Sequence, residues 1–259
     1  MGEADAANLE TALLDRKAAG RLSWFGPAIM LFARSIFAVL AQGLVAAIYA
    51  SRGSPQPWRE AAAWFPLYAT LIDLGCLATL FWLTRREGIR LTDLFALDRK
   101  RLGRDVLLGL ALIPPCLFFI LAGIYASSLL VYGDLSAPQI YSPLPLWAAL
   151  YGVLIFPLLW GIVEQTSYNG YLLPRFKALS GSTALAVAIV AFSWSLQHAF
   201  MPLTFDPDFM LYRALAPIFQ SVFVTLLYFR LRRILPLAVA HWLMDGGSAF
   251  ASLLLPLLR

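Results

Sequence analysis

Trp160-Gly-Ile-Val-Glu-Gln-Thr-Ser-Tyr-Asn-Gly-Tyr171 is the stretch on which the fold turns. It closes a long, mostly apolar run that begins near residue 144. A run of that length crosses a hydrocarbon core about 30 Å thick. A carboxylate near the centre of such a helix costs about 2.5–3.5 kcal/mol on insertion scales, so Glu164 is a functional candidate by default. The only two histidines of the chain, His198 and His241, also fall inside strongly apolar segments.

The rest of the chain has the same character. Of its 259 residues, 60% are hydrophobic and 14% charged, with a mean hydropathy of +0.72. Soluble domains carry about 25% charged residues. The composition therefore excludes a soluble fold and predicts an all-α, polytopic transmembrane helical bundle. About seven spans are expected, near 24–51, 62–84, 105–132, 144–174, 184–201, 211–230 and 234–257. Residues 1–23 read as a cytoplasmic N-terminal tail with at most a short surface helix at Leu9, Leu13 and Leu14, and 24–259 as one integral domain. Glu3, Asp5, Glu10 and Asp15 speak against a cleavable signal at the start. Cys76 and Cys116 lie within spans and are expected to be inert thiols.

Charge orients the bundle. With the N-terminus inside, the cytoplasmic segments hold 15 of the 20 basic residues, including the cluster Arg85 to Arg104. Arg52, Arg59, Arg213 and Arg259 fall outside. This is the positive-inside pattern, and it accounts for the net charge of +5 without a nucleic-acid partner. Arg34 and Asp73 lie at similar depths in the first two spans, where antiparallel neighbours can pair them and offset much of the burial cost.

Three segments carry candidate chemistry. Glu164 and Tyr168 are four residues apart, the spacing of one helix face, with Trp160, Ser167 and Tyr171 nearby. Either Glu164 is a general base or it is a packing carboxylate bonded to a tyrosine or serine. His198 has Trp194 one turn earlier, placed to stack on the imidazole. His241 and Asp245 share a face of the last span, where a local hydrogen bond that helps helices pack is the plainer reading.

In combination, Glu164-Gln165-Thr-Ser-Tyr-Asn169-Gly170, Trp194-Ser-Leu-Gln-His198 and His241-Trp-Leu-Met-Asp245 resemble the CPBP family of intramembrane proteases. That family includes the type II CAAX prenyl endopeptidases and bacteriocin-related proteins. The resemblance covers about residues 145–250, and the stretch Leu91 to Gly109 is similar to the family's weaker upstream region. The family pattern is Glu-Glu-x-x-x-Arg-Gly, then Phe-x-x-x-His, then His-x-x-x-Asn/Asp. This chain has Gln165 and Asn169 where the pattern has the second glutamate and the arginine. Both charges have gone together, and Gln–Asn at the same spacing retains a neutral hydrogen bond.

The resemblance implies hydrolysis of a peptide bond in or near the membrane, on the cytoplasmic side in the eukaryotic CAAX enzymes. Glu164 would be the general base, His198 would hold the water, and His241 with Asp245 would face the scissile carbonyl. Gln165, Asn169, Tyr168 and Trp194 would support them. A metallo-type variant uses Glu164, His198 and His241 as three zinc ligands with water in the fourth position, so zinc is a possible cofactor. The partners expected are a peptide or protein substrate and the lipid bilayer, with a bacterial inner (plasma) membrane as the expected location. Two other readings stand beside the protease. One is an inactive CPBP-fold scaffold or immunity protein that binds peptides or partner helices. The other is a proton-coupled transporter, disfavoured by the lack of an internal repeat.

Overall fold

In lipid the packing rule of a soluble helix is inverted, and the first span displays it. The helix α2 (Phe25–Ser51) exposes Phe32, Ile36, Leu40, Leu44 and Ile48, one residue per turn, on its outer face. Its inner face is built from Ala33, Ala38, Ala41 and Ala46, with Arg34 and Gln42 among them. Lipid tails are as apolar as leucine, so large side chains gain little by turning inward, and small ones let backbones approach.

The computed structural model describes residues 3–258, and side chains from residue 11 onward. Met1, Gly2 and Arg259, and the side chain of Leu9, lie outside the described residues. The remaining helices are α1 (Glu3–Ala18), α3 (Pro57–Ala62), α4 (Phe65–Arg86), α5 (Leu102–Tyr132), α6 (Leu146–Leu154) and α7 (Phe156–Gln165). A wide π-turn (Thr166–Leu172) joins α7 to α8 (Leu173–Ser180). Then follow α9 (Thr183–Leu196), a 3-10 turn (Gln197–Phe200), α10 (Pro207–Leu215), α11 (Ile218–Leu231) and α12 (Leu235–Ala249). Among the described residues there are helices and loops and no strand.

The expected spans match these helices closely. Six segments are long and apolar enough to cross a membrane: 25–51, 65–86, 91–132, 146–180, 183–200 and 207–231. The protein is an all-α integral membrane bundle. The seventh expected span is continuously helical from Leu235 to Leu258 but does not reach that standard. Its middle carries His241, Asp245, Gly246, Gly247 and Ser248, and of these His241, Asp245 and Ser248 line the cavity described below.

Against α12 pack α5 and α7; α4 packs on both α2 and α7, and α11 on α9. Gly109 lets α5 approach α12, since a Cβ there would collide with Val239 and the Pro236 carbonyl. The N-terminal segment is more than a tail. Helix α1 lies on α8, Leu13 is buried, and Lys17 Nζ donates to the Leu179 carbonyl at 3.1 Å. Below it, Glu87 is gripped by the buried Arg175, whose Nε is 3.1 Å from Oε1 and whose guanidinium also pairs with Oε2. Tyr171 donates to Glu87 at 2.8 Å, and its ring lies 3.7 Å beneath the Arg175 guanidinium. Arg16 of α1 approaches the same carboxylate at 3.9 Å. Arg233 pairs with Asp105. Several basic residues therefore tie the helices together.

Candidate active site

The backbone around Glu164 is interrupted on both sides. Helix α6 ends at Leu154, and α7 starts afresh with Pro157 in its first turn, where a missing N–H costs nothing. Immediately after Glu164 and Gln165 the chain widens into the π-turn, a form that concentrates at functional sites. Gly161 sits one turn before Glu164. A Cβ there would lie 3.2 Å from Trp242 N and 3.4 Å from the His241 Cβ, so glycine permits the close approach of α7 to α12. That approach brings Glu164 to His241.

Glu164 is completely buried, and donors meet both of its oxygens. Gln197 Nε2 donates to Oε1 at 2.5 Å, and Arg34 Nη2 stands 3.6 Å from the same oxygen. Trp194 Nε1 donates to Oε2 at 2.8 Å, and His241 Nε2 lies 3.5 Å from it. The expected pair is present, with Arg34 Nη1 at 2.9 Å from Asp73 Oδ1. Arg34 does more than neutralise Asp73. Its Nε donates to Gln197 Oε1 at 2.9 Å, and its guanidinium covers the Trp160 ring at 4.2 Å. One guanidinium thus serves two buried carboxylates, and Gln197 bridges it to Glu164.

The histidines divide their roles. His241 Nε2 lies 3.3 Å from Asp245 Oδ2 as well as 3.5 Å from Glu164. Its Nδ1 faces Gln165 Nε2 at 3.4 Å, while Asn169 Nδ2 donates to Gln165 Oε1 at 2.7 Å. Asn169 thus fixes which way the Gln165 amide points. An amide nitrogen only donates, so Nδ1 accepts and the ring proton sits on Nε2, between two carboxylates. His198 instead donates from Nδ1 to the Trp194 carbonyl at 2.9 Å, which leaves its Nε2 as an acceptor.

All four expected catalytic residues line one cavity of about 270 Å³. Glu164, His241 and Asp245 are in direct contact; His198 reaches the same cavity but bonds only to backbone carbonyls among the described residues. Trp194 stacks on Tyr168, at 5.4 Å and 8°, and not on His198. Neither Tyr168 nor Ser167 bonds Glu164: the Tyr168 hydroxyl has no hydrogen-bond partner, and Ser167 donates to the Val163 carbonyl at 2.7 Å. Sequence reading missed Gln197 and the reach of Arg34. A polar residue directly before His198 in an apolar segment was a signal for the first.

The donor set does not suit zinc as it stands. No group of three ligating side chains converges among the described residues. Both Glu164 oxygens are engaged by N–H donors, and the Arg34 guanidinium stands 3.6 Å from Oε1. His198 is turned towards backbone carbonyls.

A family profile described as type II CAAX prenyl endopeptidase Rce1-like matches residues 145–247. No curated protein and no solved structure matches the chain. The matched stretch runs from the start of α6 through the site face of α12 and holds all three motif segments. That match, over residues 145–247 and with the motifs it contains, supports membership of the CPBP family of intramembrane proteases.

Proposed function

We propose that the chain is an intramembrane endopeptidase in which Glu164 activates the attacking water. A water on the cavity side of Glu164 gives its proton to the carboxylate as its oxygen attacks the peptide carbonyl carbon. The carbonyl π electrons move to oxygen, and the His241 Nε2–H is the nearest donor for that developing charge. When the tetrahedral intermediate collapses, the C–N bond breaks and Glu164 returns the proton to the leaving amine. His198, with Nε2 free to accept, orients the water. Asp245 is a poor oxyanion donor when ionised, so its role is to hold His241 in the Nε2–H form. A preorganised donor in a water-excluded site is worth roughly 2.7–4 kcal/mol of barrier.

The observation that carries this reading is a completely buried carboxylate at a cavity wall, 3.5 Å from a histidine that a second carboxylate orients. The test uses the full chain in lipid nanodiscs with a library of fluorescence-quenched apolar peptides. Wild type should cleave members of it, and Glu164→Gln should not, with an unchanged melting profile. Equal cleavage by both proteins would remove Glu164 from the chemistry.

A second reading, a scaffold or immunity protein, draws on Gln165 and Asn169 and on the donor-saturated state of Glu164. Biological activity retained in Glu164→Gln would favour it. We place the N-terminus and the basic loops on the cytoplasmic side of a bacterial plasma membrane. The cavity rim at Tyr141 and Arg213 then lies towards the opposite face. Labelling of Ser248→Cys by an impermeant thiol reagent from outside checks that placement.

A further inference from the structure

The basic end of the bundle carries more positive charge than its own acids can take up. The segment from Arg85 to Asp105 joins α4 to α5 and holds seven basic residues against four acidic ones. All four acids are committed. Glu87 is gripped by Arg175 and Tyr171. Asp93 accepts the Arg90 backbone N–H at 2.9 Å. Asp98 accepts the Lys100 backbone N–H at 3.0 Å and pairs with Arg101 at 3.4 Å, and Asp105 pairs with Arg233. The side chains of Arg85, Arg86, Arg99, Lys100 and Arg104 are exposed and have no carboxylate partner among the described residues.

Two of these five are held in a defined place. The Arg85 guanidinium lies over the Phe81 ring at 4.8 Å, and that of Arg86 over Trp82 at 5.0 Å and Phe25 at 5.6 Å. Phe25 and Trp82 meet edge to face at 6.2 Å, where the start of α2 passes the end of α4. All three rings are exposed, as is Trp24 beside them in sequence. Exposed aromatic rings at the ends of spans mark the membrane–water boundary, the depth of lipid headgroups. A guanidinium resting on a ring face is attracted through its plane, so its N–H edge stays free. That edge matches two oxygens of a phosphate. The surplus charge of Arg99, Lys100 and Arg104 on the same segment favours headgroups with a net negative charge over zwitterionic ones.

We propose that Arg85 and Arg86, seated on Phe81, Trp82 and Phe25, bind the phosphodiester headgroup of an anionic phospholipid at the basic end of the bundle. The acyl chains of that lipid continue along the exposed apolar faces of α2 and α4. The positive-inside pattern alone predicts a diffuse attraction shared by all the basic residues. The ring-held pair predicts one retained lipid that depends on two side chains. None of these residues lines the cavity of Glu164, so the site stands apart from the proteolytic reading.

The experiment is native mass spectrometry of the full chain released from nanodiscs that hold equal amounts of phosphatidylglycerol and phosphatidylcholine. It counts the lipids that stay bound. Wild type should retain one phosphatidylglycerol per chain, roughly tenfold in preference to phosphatidylcholine. The double variant Arg85→Gln/Arg86→Gln should bring the two lipids near parity, with an unchanged melting profile because both side chains are exposed. Arg99→Gln/Lys100→Gln should keep most of the preference. If the first double variant does not fold, Arg85→Gln and Arg86→Gln taken singly should each lose part of it, and an unchanged preference in both overturns the proposal. So does equal retention of the two lipids by wild type, or a preference that survives Arg85→Gln/Arg86→Gln. An equal loss in Arg99→Gln/Lys100→Gln also overturns it, because the attraction would then belong to the spread charge and not to the ring-held pair.

Discussion

Glu164 and Glu87 each face a fully buried arginine, yet only Glu164 lines the 270 Å³ cavity. Glu87 sits at the basic end of the bundle, and its contacts are turned inward on themselves: Arg175, Tyr171 and Arg16 converge on it from α8, the π-turn and α1. Its side chain retains 16% exposure. Glu164 has none, shares its arginine with Asp73, and has His241 rather than a second cation beside its outer oxygen. The first arrangement is complete without a ligand. The second leaves a base, a protonated imidazole nitrogen and an accepting imidazole nitrogen around space. A buried carboxylate–arginine contact thus does not by itself mark a site; what sets Glu164 apart is the adjoining cavity.

Breaking each glutamate should separate the two roles. Glu164→Gln should lower cleavage roughly a thousandfold, the scale of losing a positioned general base, with little change in stability. Glu87→Gln should leave turnover within a few-fold and destabilise the bundle by about 2–4 kcal/mol, because Arg175 keeps a buried charge. Cleavage assays beside melts in detergent read both. A Glu87 variant as inactive as Glu164→Gln would erase the distinction.

The shared arginine can be probed next. Arg34→Met or Asp73→Leu alone should cost about 3–5 kcal/mol, whereas the double replacement should recover most of it, because no unpaired buried charge remains. Folded yield and melting temperature measure this, and equal losses in all three proteins contradict the pairing. A smaller effect is expected at the neutral pair. Gln165→Glu alone should cost about 1–3 kcal/mol by burying a carboxylate beside His241 and Glu164, and adding Asn169→Arg should restore it. The smallest expected effect is none at all: treatment with a strong zinc chelator should leave cleavage unchanged, and elemental analysis should find zinc well below one per chain. Loss of activity that zinc alone restores would revive the three-ligand alternative.

Much of this was legible in the sequence. Span positions follow from apolar runs because only length and hydropathy decide them, and the Arg34–Asp73 pair follows from matched depth. The Gln165–Asn169 bond follows from helical spacing, which the start of the π-turn still honours. Tyr168 does not bond Glu164 because its ring stacks on Trp194, and the Trp194 indole N–H takes the carboxylate instead. Gln197 and the second contact of Arg34 depend on how three helices meet, and no spacing along one chain segment encodes that. Arg213 looked like a loop residue on the outer side; only the fold shows it buried at a cavity wall.

The central claim is that Glu164 activates water for peptide hydrolysis. Its most direct test is mass spectrometry of peptides incubated with the nanodisc protein in oxygen-18 water. Wild type should produce fragments whose new C-terminal carboxylates carry one oxygen-18 atom, and Glu164→Gln should produce none. Labelled fragments of equal abundance from both proteins, or none from wild type across the peptide library, would contradict it.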